Sequence, residues 1–305
     1  MSPGQPPPRD LPPRRGLAAA GLALAAALFL AVSGAGRMRA APVAAADLWE
    51  LGGVRRHALD LESVGPPRQA PLVFPQSADW LNTADSWVAP RVPSGSAAAV
   101  AALGGEPVAL GTVVDRPEPL RAAVAQGLAA DILLLSGGVS AGDLDLVPDT
   151  FRRCGVEKIF HKVRLKPGKP VWFGVFTRPG GGGRCLVFGL PGNPASSLVC
   201  FDLFVRPALA SLLGWPQARL SLPRRRSRLG GAAKGAEDRP VYAPCRLESA
   251  DDGSLVAHPL PWTGSSDLVG LAVADAYLAL PAGVRRAEAG DDVEVVMLRD
   301  DFDGA

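Results

Sequence analysis

The sequence predicts an α/β protein: a parallel-sheet domain over residues 96–222, followed by a small β domain over 223–300. Three observations carry this expectation. From Ser96 onward, helical and strand-like segments of ordinary length alternate, the pattern that builds a parallel sheet. Two apolar runs, 131–136 and 185–190, end directly in loops rich in glycine and proline. Beyond residue 222 the helical pattern gives way to short strand-like runs with turn signals at Asp251-Asp252-Gly253 and Pro281-Ala282-Gly283.

The elements follow in order. Ala97–Leu103 reads as a helix ending at Gly104-Gly105, Val108–Val114 as a strand and Pro119–Leu128 as a helix before the buried strand Ile132–Leu135, which together make a βαβ crossover. Leu146–Cys154 reads as helix and Val171–Phe176 as strand. Leu198–Leu213 reads as an apolar helix stopped by Gly214. The stretch from Ala41 to Arg91 shows little period-2 or period-3.6 pattern, is broken by Pro66, Pro67, Pro71 and Pro75, and receives no element. Arg224, Arg225, Arg226 and Arg228 read as a solvated linker between the two domains.

The chain has 305 residues, 48% of them apolar and 20% charged, which suffices for a sizeable core. A formal net charge of +2 gives no nucleic-acid-binding surface. Cys154, Cys185, Cys200 and Cys245 lie far apart with no CxxC pair, so reduced thiols in a cytosolic setting are expected instead of zinc or a disulfide framework. His57, His161 and His258 are scattered and support neither a metal site nor a Ser/His/Asp triad. Chemistry is left to carboxylates, amines and backbone groups.

Gly16–Gly36 complicates a cytoplasmic location. The segment is uncharged, framed by Arg14, Arg15, Arg37 and Arg39, and at ~1.5 Å per residue just long enough to cross a hydrocarbon core. It fits a signal or membrane anchor, an Ala-rich soluble helix, or a start placed too far upstream. Arginines on both sides leave the orientation open. Residues 1–40 thus form a candidate membrane segment and 41–95 an unassigned one.

Three loops carry candidate chemistry. The strand at Asp131–Ser136 runs into Gly137-Gly138-Val139-Ser140-Ala141-Gly142-Asp143-Leu144-Asp145 before a helix. Open α/β sheets place ligands at such carboxyl ends, where glycines permit close backbone approach and a helix N-terminus offers N–H donors to an anion. Ser140 can add a hydroxyl, and Asp143 with Asp145 can hold a hard cation such as Mg2+; a plain turn in which either aspartate caps the helix explains the glycines equally well. Second, Lys166-Pro167-Gly168-Lys169-Pro170 sets two amines on a proline-restricted turn, suited to an oxyanion or to simple solvation. Third, Leu190-Pro191-Gly192-Asn193-Pro194-Ala195-Ser196 opens an apolar helix with Asn193 as candidate cap and Pro194 in its first turn, leaving the Ser196 hydroxyl and neighbouring N–H groups for an oxyanion.

In this order the three strings resemble those of the molybdopterin molybdenumtransferase family, whose animal relative is gephyrin. The family pattern is a Ser-Gly-Gly-Val-Ser-x-Gly-x-x-Asp loop, a Lys-Pro-Gly-Lys-Pro turn and a Leu-Pro-Gly-Asn-Pro-x-Ser loop, matched at Ser136–Asp145, Lys166–Pro170 and Leu190–Ser196. The resemblance implies a three-layer αβα molybdopterin-binding domain, then a β-barrel-like C-terminal domain. It implies an enzyme of molybdenum cofactor biosynthesis whose substrates are molybdate and adenylylated molybdopterin, with AMP cleaved off in the presence of Mg2+. Asp145 is then the Mg2+-associated carboxylate with Asp143 beside it. Ser140 contacts pterin phosphate or molybdate, Lys166, Lys169 and Ser196 contact oxyanions, and Gly137, Gly138, Gly142, Pro191, Gly192, Asn193 and Pro194 shape the pocket. Gly264–Leu268 resembles a Ser-containing region of the C-terminal domain and adds Ser265. A homodimer is implied, with the N-terminal domains contributing to a shared site.

The resemblance covers about two thirds of the chain and departs toward its start. Family members begin with two domains carrying an Asp-Gly-x-Ala segment, and the first strand of their central domain ends in a Thr-Gly-Asp-Glu-like loop. Neither string occurs here, where the corresponding region is Ala78–Val92. Three readings follow: an active enzyme that lacks or borrows its N-terminal half, a pterin- and molybdate-binding module with little turnover, or a truncated product with no independent role.

Overall fold

The computed structural model describes residues 71–77, 95–139, 146–262, 264 and 268–298. The candidate membrane segment 16–36 and the stretch 41–70 lie outside them. The described residues divide into two compact units: Arg164–Pro167 with those from Leu222 onward, and those from Pro71 to Val163 with Gly168–Ser221.

The α/β unit contains, in chain order, β1 (Pro71–Ser77), α1 (Gly95–Ala102), β2 (Glu106–Val113), α2 (Pro117–Gly127), β3 (Ile132–Ser136), α3 (Leu146–Arg153), β4 (Glu157–His161), β5 (Trp172–Thr177), β6 (Arg184–Leu190) and the helix α4 (Pro194–Leu212). The sheet order is β2-β1-β3-β6-β5-β4. β2, β1, β3 and β6 are mutually parallel, whereas β5 and β4 run antiparallel at one edge. The expected α/β sheet is present, with a two-stranded antiparallel extension.

Side-chain alternation along β5 shows how both faces are covered. Trp172 packs on Phe151 of α3 at 4.7 Å between ring centroids, and Phe173 points the other way to Phe188 at 4.7 Å and Phe160 at 5.4 Å. Phe204 of α4 joins Phe160 on that second face at 6.0 Å. Helices on opposite faces make the sheet the middle layer, so β3 and β6 read as unbroken apolar runs. On the first face α2 buries Leu120 and Val124, four apart, against Leu133 and Leu135. Pro117 suits its first turn because its fixed φ and missing N–H cost nothing there. At its other end the Arg178 guanidinium donates to the carbonyls of Leu128 at 3.1 Å and Ala129 at 3.0 Å, and also to that of Ala130. A cation thus satisfies terminal carbonyls that have no helical partner.

Two sequence expectations need correction. The stretch judged patternless contains β1, a central strand between β2 and β3. Prolines normally exclude a central strand because they cannot donate to the ladder; here the register shifts between Phe74 and Pro75, a bulge of the kind that tolerates proline. The arginine run read as a linker is instead a strand of the second unit.

That unit holds β7 (Arg224–Leu229), β8 (Ala233–Ala236), β9 (Val241–Ser249), β10 (Leu255–Pro259), the short helix α5 (Leu268–Ala272), β11 (Ala276–Leu280), β12 (Val284–Ala287) and β13 (Asp292–Met297). Strands β10-β7-β13-β11-β9 close into a barrel, and β12 pairs with β8. Ser227 and Leu229 of β7 are buried, while Asp292 and Glu294 of β13 stand opposite Arg228 and Arg226. Arg224 Nη1 donates to Glu294 at 3.1 Å and Nη2 to the Tyr242 hydroxyl at 3.3 Å. Acidic partners across the ladder therefore offset the basic run.

Among the described residues, α4 is the helix long and apolar enough to cross a membrane, but 67% of its apolar window is buried in the fold. It is a core helix. Pro207 cannot donate to the helical ladder, and a π-helical segment, Phe201–Val205, precedes it.

Candidate functional site

The loops after β3 and β6 lie side by side because their strands are parallel neighbours, Ser136 pairing with Leu190. The ladder continues one step beyond the strands: Gly137 N–H donates to the Leu190 carbonyl at 3.0 Å, and Ser136 Oγ to the Pro191 carbonyl at 3.2 Å. A Cβ placed on Gly192 would be 3.5 Å from Gly137 Cα, so the two glycines face each other at contact distance. Gly138 has φ +64°, and a Cβ there would stand 2.6 Å from Val147 Cγ2 at the start of α3. Only glycine satisfies both that dihedral and that approach.

Pro191 is buried, Gly192 partly exposed and Asn193 exposed. Asn193 occupies the N-cap position with extended backbone but makes no side-chain cap bond; its carbonyl accepts from Ser197 N–H at 2.9 Å. Pro194 stands first in α4, and Ser196 is buried in the opening turn. First-turn N–H groups have no intrahelical acceptor, so α4 presents its positive end beside the β3 loop.

The Lys-Pro-Gly-Lys-Pro string does not belong to one unit. Lys166 is exposed, and its backbone joins the barrel unit: its N–H donates to Pro240 O at 3.0 Å and its carbonyl accepts from Tyr242 N–H at 2.8 Å. The Lys166-Pro167 peptide bond is cis. Gly168 and Lys169 belong to the α/β unit, where Lys169 O accepts from Val163 N–H at 2.9 Å and Gly168 O accepts from the buried Cys200 thiol at 3.6 Å. Ser140, Gly142, Asp143, Asp145 and Ser265 lie outside the described residues.

One contact at this site escaped the sequence reading. His161 Nε2 lies 3.2 Å from the Val139 carbonyl, which can only accept, so that nitrogen carries the proton. Nothing in the spacing of the three histidines signals a bond between residues 22 apart.

The thiols are structural. All four cysteines are unpaired, and burial pushes Cys185 and Cys245 up to about 12 and Cys200 upward as well, holding them as neutral thiols. A groove of about 710 Å³ on the α2–α3 side is lined by Arg121, Arg153, Cys154, Phe176 and Arg178, and none of the sequence-predicted site residues lines it. Among the described residues no group of three metal-ligating side chains occurs.

Comparison with known proteins decides what these loops belong to. The family described as probable molybdopterin binding domain matches residues 96–211, and the MoeA C-terminal region (domain IV) matches 226–298. The molybdopterin molybdenumtransferase of Bacillus subtilis is 31% identical over 204 residues, covering 65% of this chain and 44% of that protein. This chain belongs to the molybdopterin molybdenumtransferase family. The Nostoc molybdopterin molybdenumtransferase is 33% identical over 208 residues, covering 66% of this chain and 46% of that one. Dictyostelium discoideum gephyrin is 34% identical over 184 residues, covering 55% and 26%. A crystal structure of the molybdopterin biosynthesis moea protein from Pyrococcus horikosii superposes with a TM-score of 0.58 at 25% identity, covering 76% of this chain and 55% of that one. A molybdenum cofactor biosynthesis protein from Pyrococcus furiosus shares the fold, with a TM-score of 0.52 at 21% identity, covering 80% and 71%. This transferase-family chain spans less than half the length of the curated relatives named here.

Proposed function

We propose that this protein acts in molybdenum cofactor biosynthesis, inserting molybdate into adenylylated molybdopterin with release of AMP. The observation that carries the reading is the apposition of the Gly137-Gly138 and Pro191-Gly192 loops at the carboxyl ends of adjacent parallel strands, within the region matched to the molybdopterin-binding family. Molybdate is a dianion and the adenylylated substrate carries phosphates, so the site must supply N–H donors and cations. At the N-terminus of α4, Asn193 and Ser196 supply donors while Pro194, which has no N–H, fixes the first turn, and Lys166 and Lys169 supply charge. Gly137, Gly138, Gly142, Pro191 and Gly192 let backbone approach the substrate, and Ser140 and Ser265 add hydroxyls.

For Mg2+ the donor chemistry fits: Asp143 and Asp145 are hard carboxylate oxygens two residues apart. Bound there, the ion would neutralise phosphate and oxyanion charge. The protein's own contribution is orientation and fixed charge; no protein nucleophile is required. The family's usual homodimer in the cytoplasm completes the reading.

The test is single-turnover AMP release from adenylylated molybdopterin by the full chain, with and without molybdate and Mg2+. Release stimulated by molybdate supports the reading; absence of release at saturating substrate refutes it. A second reading is pterin binding at these loops without turnover. Tight binding without AMP release would select it.

A further inference from the structure

We infer that His161 is a positioning residue, holding the Val139 carbonyl at the end of the Gly137-Gly138 turn that follows β3. The inference rests on the proposed reading of that loop as part of the substrate site. Its geometry stands on three contacts within the α/β unit.

The first is the bond itself. His161 Nε2–H donates to the Val139 carbonyl at 3.2 Å. The second is the seat of the Val139 side chain, which is 1% exposed and occupies the space that a Cβ on Gly189 would need, 2.5 Å from Val139 Cγ1. The third is the left-handed turn at Gly137 and Gly138, with φ of +94° and +64°, which turns the chain out of β3 toward that seat. Val139 is thereby fixed by its side chain in the core and by its carbonyl at the rim. Without the imidazole the packed methyls would locate the residue, but its carbonyl would lose the side-chain donor that orients it.

The position of His161 in the chain adds the functional link. It ends β4, paired with Trp172 of β5. Immediately after it Lys162 takes φ +65° with its N–H on Val171 O at 3.0 Å, and Val163 N–H donates to Lys169 O at 2.9 Å. Three residues therefore connect the imidazole that holds the first loop to the backbone that holds Lys169. The bond couples two of the three site strings, which the sheet order otherwise keeps apart: β3 is separated from β4 by β6 and β5. A site for a phosphate-bearing, oxyanion-accepting reaction needs such a coupling, because misplacement by about 1 Å costs on the order of 10²-fold in rate.

The test compares the full chain with His161→Phe, which keeps a ring and loses the donor, and His161→Gln, which keeps a donor. Amide hydrogen exchange across residues 137–139 is the first readout, and it does not depend on activity. Loss of one net hydrogen bond should speed exchange there by about five-fold in His161→Phe, with His161→Gln close to the parent. Unchanged exchange in His161→Phe, or equal acceleration in both variants, overturns the inference. The second readout is AMP release with a KM–kcat split. His161→Phe should lower kcat about ten-fold or more while the thermal midpoint moves little, and His161→Gln should recover most of it. A parent without AMP release defeats the proposed function, and the exchange result still decides the role of His161.

Discussion

Gly189→Ala tests whether the packing beneath the site is as tight as the geometry requires. A methyl at position 189 would stand 2.5 Å from Val139 Cγ1, 3.3 Å from Trp172 Cβ and 3.5 Å from Phe151 Cε2, all three side chains at most 1% exposed. An ordinary carbon–carbon contact is about 3.5–4.0 Å, so Val139 has to retreat by about 1 Å into a filled core. Overpacking of this kind costs about 1–3 kcal/mol. Val139→Ala alone removes two methyls and should cost about 2 kcal/mol. The two changes share one space, so the double variant should be little worse than Val139→Ala, a coupling of at least about 1 kcal/mol. Guanidinium unfolding of the full chain followed by tryptophan fluorescence, with Trp172 at the clash, measures all four states of the cycle. Additivity within ~0.5 kcal/mol would show that the methyl does not collide with Val139, and the account of how that residue is seated would fail.

Stability should fall above pH 9, where an ordinary thiol ionises, because burial raises Cys185 and Cys245 to about 12. The unfolded thiols ionise from about pH 9 while the buried ones stay protonated, so each group's contribution is complete below that pH and is lost at up to about 1.4 kcal/mol per pH unit above it. Denaturation midpoints between pH 8 and 11 check this, and an unchanged slope in Cys245→Ala would remove that thiol from the explanation. Arg178→Met should destabilise the α/β unit by about 2 kcal/mol, since it strips the charged donor from the α2 end carbonyls, and Arg178→Lys should recover only part because an ammonium cannot fork across several acceptors. Thermal midpoints separate the two variants, and full rescue by lysine would count against the fork. Asp145→Asn should lower Mg2+-dependent AMP release far more than pterin binding, and Lys169→Ala should chiefly raise the molybdate concentration required; equal turnover in either variant and the parent would remove that residue from the site.

What the sequence made legible was local. The βα alternation, the turn at Gly137-Gly138 and the helix start at Asn193-Pro194 are demands of backbone geometry on neighbouring residues, and they appear in the structure where the spacing put them. What it hid was tertiary. β1 was invisible because Pro71 and Pro75 argue against a central strand, and only the register shift after Phe74 and its two parallel neighbours make it one. The arginine run read as a linker because a charged string carries no period-2 apolar signal; Ser227 and Leu229 fill the barrel side, and the acids of β13 that balance the other side lie about 65 residues away. The antiparallel edge of the sheet likewise leaves no mark in an apolar run such as Val171–Phe176.

The Lys-Pro-Gly-Lys-Pro string shows why motif reading and structure divide the work as they do. As a sequence it is one turn bearing two amines. In the structure its first lysine is tied through Pro240 and Tyr242 into the barrel unit, and its second through Val163 into the α/β unit. Substitutions at the two lysines should therefore differ in character even where they remove the same charge. The Lys169 carbonyl accepts from Val163, two residues beyond His161, whereas the Lys166 backbone is bonded to Pro240 and Tyr242 of the barrel unit. If both lysines contact oxyanions, loss of the His161 donor should weaken the dependence of turnover on Lys169 while leaving that on Lys166 unchanged. A double-mutant cycle of His161→Phe with each Lys→Ala reads this directly. Equal coupling to both lysines would mean that the string acts as one rigid turn after all.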